Sequence, residues 1–131
     1  MGIIIACTGK PKIKCRFSCA TYHDIRVAIA EEYNYTLGVI YKNLANVDES
    51  VIYEARRQFQ HLYAMANTQT RTLMRFLGAP DDKAVKIDKN TCKLLLRFKR
   101  IFFENDIPKK PEYEEFWNVV ENGTKRGIHW C

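Results

Sequence analysis

Residues 71–104 read RTLMRFLGAPDDKAVKIDKNTCKLLLRFKRIFFE, and this stretch decides the predicted fold. Its apolar residues recur at helical spacing on both sides of Gly78-Ala79-Pro80, a run that ends a helix and does not continue it. The pattern predicts a short helix from Arg71 to Leu77 and a long helix from Asp81 to Glu104, whose first carboxylates suit the positive end of the helix dipole. The residues expected on the core face of the long helix are Val85, Cys92, Leu95, Phe98 and Phe102.

The remaining sequence predicts further helices and one β element. Ile13, Cys15 and Phe17 alternate with polar residues after the turn-forming run Thr8-Gly9-Lys10-Pro11, which predicts a β-hairpin within residues 3–17. Further helices are expected from Thr21 to Tyr33, from Thr36 to Leu44, from Asp48 or Ser50 to Tyr63, and from Pro111 to a stop at Gly123. No pattern is readable in residues 124–131, so the hairpin is the only β element predicted.

The length of 131 residues is typical of one domain with a single core. A hydrophobic fraction of 47% lies in the range of globular proteins. We therefore predict one mainly α domain over residues 1–131. It would be a helical bundle with a helix-turn-helix-like unit over residues 21–104, preceded by a short N-terminal β-hairpin in residues 1–20 and followed by an amphipathic helix in residues 111–123.

Positive charge is concentrated in one part of the chain. Residues 71–100 carry nine Lys and Arg against three Asp and Glu, a balance equal to the net charge of +6 of the whole chain. Six positions there are spaced alternately by three and four, which on one helix would form an acid-free stripe about 25 Å long: Lys83, Lys86, Asn90, Lys93, Arg97 and Arg100. Such a stripe favours a polyanion, although a merely solvated helix face is the commoner reason for exposed cations.

Three segments carry a resemblance to a known family. They are Val27-Ala28-Ile29-Ala30-Glu31-Glu32-Tyr33-Asn34, Glu54-Ala55-Arg56-Arg57-Gln58 and Arg75-Phe76-Leu77-Gly78. Through them residues 21–100 resemble the C-terminal DNA-binding domain of the bacterial replication initiator DnaA, of the Trp-repressor-like helix-turn-helix group. In that family the stretch after the glycine reads Arg-Asp-His-Ser-Thr-Val and contacts bases, whereas here residues 80–85 read Pro-Asp-Asp-Lys-Ala-Val. The resemblance therefore implies the fold and a DNA-facing surface, with phosphate contact in place of sequence readout.

These observations favour a small DNA-binding protein, with DNA preferred over RNA. The residues expected to contact nucleic acid are Arg71, Arg75, Lys83, Lys86, Lys89, Lys93, Arg97 and Arg100. The alternative belongs to a different class, an interaction protein that uses the same face against a host nucleoprotein machine, as a phage-type, anti-CRISPR-like inhibitor would.

The acidic C-terminal helix has two interpretations. Tyr113, Phe116, Trp117 and Val120 fall at i, i+3, i+4 and i+7, which predicts one apolar face. This face either completes the core of the domain or docks on a protein partner or a second copy of the chain. In the second interpretation Tyr113, Phe116 and Trp117 are the partner-binding residues.

Catalytic and metal-binding patterns are weak. Cys15, Cys19 and His23 are spaced by four and could hold zinc on a helix, but without a CxxC pair we expect small buried hydrophobic cysteines and no metal or other cofactor. No histidine belongs to a recognisable catalytic motif and no Gly-rich phosphate loop is present, so we predict no enzyme. Five cysteines at irregular spacing, with no apolar run of ~20 residues, predict a cytoplasmic protein without a membrane span.

Overall fold

A computed structural model of the protein describes residues 2–77, 86–104 and 110–130. The chain forms two compact units, which we call the sheet unit (residues 1–23 and 79–131) and the helical unit (residues 24–78). The boundary falls within one helix, between His23 and Asp24. The single domain predicted over residues 1–131 stays a prediction.

The sheet unit contains a four-stranded antiparallel sheet covered by a long helix. Its strands are β1 (Gly2–Cys7), β2 (Lys14–Ser18), β3 (Lys86–Ile87) and β4 (Ile128–Trp130), in the order β2-β1-β4-β3. Its helical segments are the start of α1 (Cys19–Tyr33), α5 (Lys89–Leu95), a 3-10 turn (Leu96–Phe98), α6 (Ile101–Glu104) and α7 (Pro111–Arg126). Helix α7 packs against β1, β2 and α5.

The helical unit contains the rest of α1 together with α2 (Tyr35–Asn43), α3 (Glu49–Met65) and α4 (Thr68–Leu77). Side chains cap three of the helices. Asn34 accepts a hydrogen bond from the Leu37 amide, Asp48 from the Ser50 amide and Asn67 from the Thr70 amide. Buried Arg26 donates to the Leu77 carbonyl at 3.3 Å, at the C-terminal end of α4, where a cation is favourable.

The mainly helical fold with an N-terminal hairpin is confirmed. The extent of the β structure and the end of the last helix were predicted wrongly. The hairpin is not the only β element, since β3 and β4 extend its sheet. Helix α7 does not stop at Gly123 but continues to Arg126, and the stop is Gly127, whose φ of 77° suits glycine. None of the described helices has the length and hydropathy needed to cross a membrane.

Candidate nucleic-acid interface

The prediction of one long helix from Asp81 to Glu104 is wrong. The charged stripe expected on that helix is therefore interrupted. Lys86 belongs to β3, where its backbone is paired with His129 of β4. Asp88 then starts a new helix, because its side chain accepts a hydrogen bond from the Thr91 amide at 2.7 Å and caps α5. Lys83 lies outside the described residues. Lys86 therefore does not share a helix with Lys93.

A shorter group of cations remains on α5 and the 3-10 turn that follows it. Lys89, Lys93 and Arg97 are spaced by four and lie on one side of this segment, all three exposed. None of them has a carboxylate partner in the part of the chain that the structure describes. They extend over roughly 12 Å at 1.5 Å per residue. We call these three residues the α5 patch. Asn90 and Arg100, which are close to them in the sequence, are also exposed.

Burial of the opposite side of α5 holds the patch toward solvent. Thr91, Cys92, Leu94 and Leu95 are buried, and α5 packs closely on α7. Gly123 of α7 allows this close approach, since an added Cβ would lie 2.7 Å from the Cys92 Sγ. The predicted core residues Cys92, Leu95, Phe98 and Phe102 are all buried, as expected, whereas Val85 lies outside the described residues.

Two predicted nucleic-acid contacts belong to the helical unit, and one of them has a structural role. Arg71 donates from Nε to the Tyr63 carbonyl at 3.0 Å and from Nη2 to the Ala64 carbonyl at 2.8 Å, and its guanidinium lies 5.4 Å from the centre of the Tyr63 ring. It thereby satisfies the last carbonyls of α3. Arg75 is exposed on α4. Neither residue is needed for the interface proposed below.

The partner-binding assignment of Tyr113, Phe116 and Trp117 has to be corrected. All three side chains are buried in the sheet unit, where Trp117 makes edge contacts with the rings of Phe102 and Phe116 at centroid distances of 5.3 and 4.9 Å. Rings enclosed in this way cannot serve as the exposed anchors of an interface. The core interpretation of the apolar face of α7 is the one that fits.

A second group of cations, which was not among the predicted contacts, lies in the hairpin. Lys10, Lys12, Lys14 and Arg16 occupy alternate positions and are all exposed. Residues 1–23 contain no Asp or Glu. The period of two could have revealed this group, but alternation was applied to the apolar residues alone. We call these four residues the hairpin row.

The cysteines do not form the zinc site that the spacing allowed. Cys15 lies in β2 and is buried, whereas Cys19 begins α1 and is exposed, so the three residues do not share a helix face. No group of three metal-ligating side chains is found among the described residues. Burial raises the pKa of the Cys92 thiol to about 12, and it also raises the pKa values of the Cys7 and Cys15 thiols.

We expect three thiols to be protected in the native protein. At pH 8 a thiol-specific reagent should modify Cys19 promptly, whereas Cys7, Cys15 and Cys92 should react only after unfolding, because they are buried and their raised pKa values keep the thiolate scarce. Mass spectrometry of modified peptides from the Cys131→Ser variant, with and without denaturant, measures this. Fast native modification of Cys15 would contradict the packing.

The helical unit has a groove between α2 and α3. Its volume is about 620 Å³ and its lining is mainly apolar. The lining residues are Tyr35, Thr36, Val39, Ile40, Arg57, Gln58, His61 and Leu62. Tyr35 is 78% exposed and Val39 41% exposed. Arg57, one of the lining residues, forms an ion pair with Glu54 at 2.5 Å.

Comparison of the chain with family models, with curated proteins and with solved structures gives no match.

Proposed function

We propose that this protein binds nucleic acid, with DNA preferred, through phosphate contacts made by the α5 patch. The observation that carries the proposal is the exposure of Lys89, Lys93 and Arg97 on one side of a helix, with no carboxylate partner among the described residues. Residues 89–103 contain no acid, which favours a positive local potential; Glu121 of α7 pairs with Lys99 of this segment, which is not a member of the patch. The resemblance to the initiator domain supports DNA over RNA.

The patch suits backbone contact more than base recognition. Each lysine is a flexible point charge, and only Arg97 offers the planar fork that can contact a phosphate or a guanine with two hydrogen bonds. Neutralising phosphates releases condensed counterions, which makes binding depend steeply on salt. The proposed activity is therefore binding with little sequence preference.

Charge reversal in the patch tests this function. In an anisotropy titration with labelled duplex DNA near 50 mM salt, we expect Lys93→Glu with Arg97→Glu to weaken binding roughly tenfold or more and to lower the salt slope by about 2. The control is Lys42→Glu with Arg56→Glu, two exposed cations of the helical unit, which changes the net charge equally. Absence of binding by the wild-type protein, or equal losses in both variants, would contradict the proposal.

The groove between α2 and α3 favours a second candidate function, binding of a protein partner. A mainly apolar groove with a 78% exposed tyrosine among its lining residues is the kind of surface that accepts an apolar helix face or side-chain anchor. This candidate belongs to the same class as the interaction protein that the sequence left open, but it does not use the basic face that was predicted for that protein. It places the contact in the helical unit, whereas the α5 patch belongs to the sheet unit.

A pull-down from nuclease-treated lysate separates the two candidates. We expect a stoichiometric protein that survives nuclease treatment to be lost with Val39→Asp, which charges the groove, and to be kept with Val47→Asp, a fully exposed position that does not line it. If every co-purifying species disappears on nuclease treatment, the protein-partner candidate fails.

A further inference from the structure

The hairpin row differs from an ordinary solvated surface because all its charges are positive and its residues are regularly spaced. Lys10, Lys12, Lys14 and Arg16 stand at every second position, and residues 1–23 have no carboxylate side chain to balance them. None of the four has a carboxylate partner among the residues that the structure describes. A surface kept merely soluble usually mixes charges of both signs, so four like charges in succession raise the local potential.

The strand geometry aligns two members of the row. Along β2 the residues alternate between exposed and buried, with Cys15 and Phe17 buried in the sheet unit. Phe17 packs at 5.9 Å from the Phe116 ring of α7. Lys14 and Arg16 therefore project from the face of β2 that points away from α7, about 6.8 Å apart along the strand.

The turn that carries Lys10 and Lys12 is fixed by the C-terminal end of α7. Arg126 donates from Nε to the Thr8 carbonyl at 2.7 Å and from Nη2 to the Pro11 carbonyl at 2.5 Å. The Thr8 amide also donates to the Gly127 carbonyl at 3.1 Å. These bonds order the turn before any ligand binds, which lowers the entropy lost when its lysines make contacts.

Protection of a sheet edge explains only part of the row. Strand β2 lies at one edge of the sheet, and lysines on edge strands hinder pairing with other chains. Lys10 and Lys12, however, precede the strand and cannot shield its backbone groups. Edge protection therefore accounts for Lys14 and Arg16 at most.

We infer that the hairpin row is a second phosphate-binding site, which takes the backbone of a nucleic acid on the sheet unit. The inference rests on the proposed function, since it names a further surface for the same class of ligand. The row supplies three point charges and one guanidinium on an ordered hairpin, and phosphate groups are the anions that such groups bind in series.

Charge reversal in the row tests the inference. We expect Lys12→Glu with Lys14→Glu to weaken binding to the labelled duplex roughly tenfold or more and to lower the salt slope by about 2, as for two lost phosphate contacts. Lys12→Arg with Lys14→Arg should bind like the wild type, because it keeps both charges. Lys42→Glu with Arg56→Glu again controls for net charge, and circular dichroism confirms that each variant is folded.

A second readout does not depend on substitution. DNA should protect Lys10, Lys12 and Lys14 of the wild-type protein from acetylation, as detected by peptide mass spectrometry, and Lys42 should stay reactive. The inference would be overturned if the Lys12→Glu, Lys14→Glu variant kept the wild-type affinity and salt slope, or if DNA did not protect the hairpin lysines. The proposed role of the α5 patch would be unaffected by either result. Loss of affinity in the hairpin variant but not in the Lys93→Glu, Arg97→Glu variant would support the row and overturn the role of the patch.

Discussion

Replacing Trp117 by alanine is expected to lower the free energy of unfolding by about 3–5 kcal/mol, the range for removal of a large aromatic side chain from a packed core. Trp117 is 1% exposed, and its ring contacts those of Phe102 and Phe116 edge-on. Truncation would remove these contacts and leave a cavity that α7 cannot close without moving from the sheet. Urea unfolding followed by circular dichroism at 222 nm measures the change.

Two control variants make the result specific. Trp117→Phe keeps most of the ring and removes an indole N–H that is buried with no hydrogen-bond partner among the described residues, so we expect a loss of less than about 1.5 kcal/mol. Glu114→Ala changes an exposed position of the same helix and should shift stability by no more than about 0.5 kcal/mol. A near-neutral Trp117→Ala would show that this ring is not a core residue and would restore its candidacy as a partner anchor.

Local patterns predicted those parts of the fold that depend on nearby residues. The apolar face of α7 follows from the spacing of Tyr113, Phe116 and Trp117, and these side chains are buried as one face of a helix would be. Asp48 was one of the two residues at which α3 was expected to start, and its carboxylate accepts a hydrogen bond from the Ser50 amide. Such features were readable because a helix and its cap are decided within a few residues.

The short strands could not be predicted because their partners are distant. Strand β3 has two residues and β4 has three, too few for alternation to show, and their pairing joins residues more than forty positions apart. The spacing of the cations fits a continuous helix from Asp81 to Glu104, and this pattern hides the break. Asp88 was the missed signal, since an aspartate three residues before the Thr91 amide is a good N-cap.

The candidate site was only partly predictable for the same reason. Lys93 and Arg97 belong to the predicted stripe, and both lie in one short helical segment, whereas Lys89 was predicted as a contact but stood outside the stripe. Lys86 was grouped with them on the assumption of a continuous helix, which the pairing of β3 with β4 removes. The hairpin row was missed although its period of two was visible, because its significance depends on the exposure of every member and on the turn held by Arg126.

Replacing Gly38 by alanine is expected to destabilise the helical unit, although the substitution favours an isolated helix. In a helix interior alanine is better than glycine by about 1 kcal/mol. At Gly38, however, an added Cβ would lie 2.5 Å from the Cγ of Glu31, 2.7 Å from its Cα and 2.9 Å from its backbone nitrogen. Two of these atoms belong to the backbone of α1, so relief requires α1 and α2 to move apart. We expect a net loss of about 1–3 kcal/mol, the usual cost of overpacking.

Whether Gly38→Ala lowers or raises the free energy of unfolding decides whether α1 and α2 cross as closely as these distances indicate. Thr36→Ala, at an exposed position of α2, is the matched control and should be neutral or slightly stabilising, because alanine is the better helix former. Adding Glu31→Ala to Gly38→Ala removes the contact with Cγ but not those with the backbone, so it should restore only part of the loss. A stabilising Gly38→Ala in urea unfolding would mean that the two helices cross farther apart, with room for the methyl group.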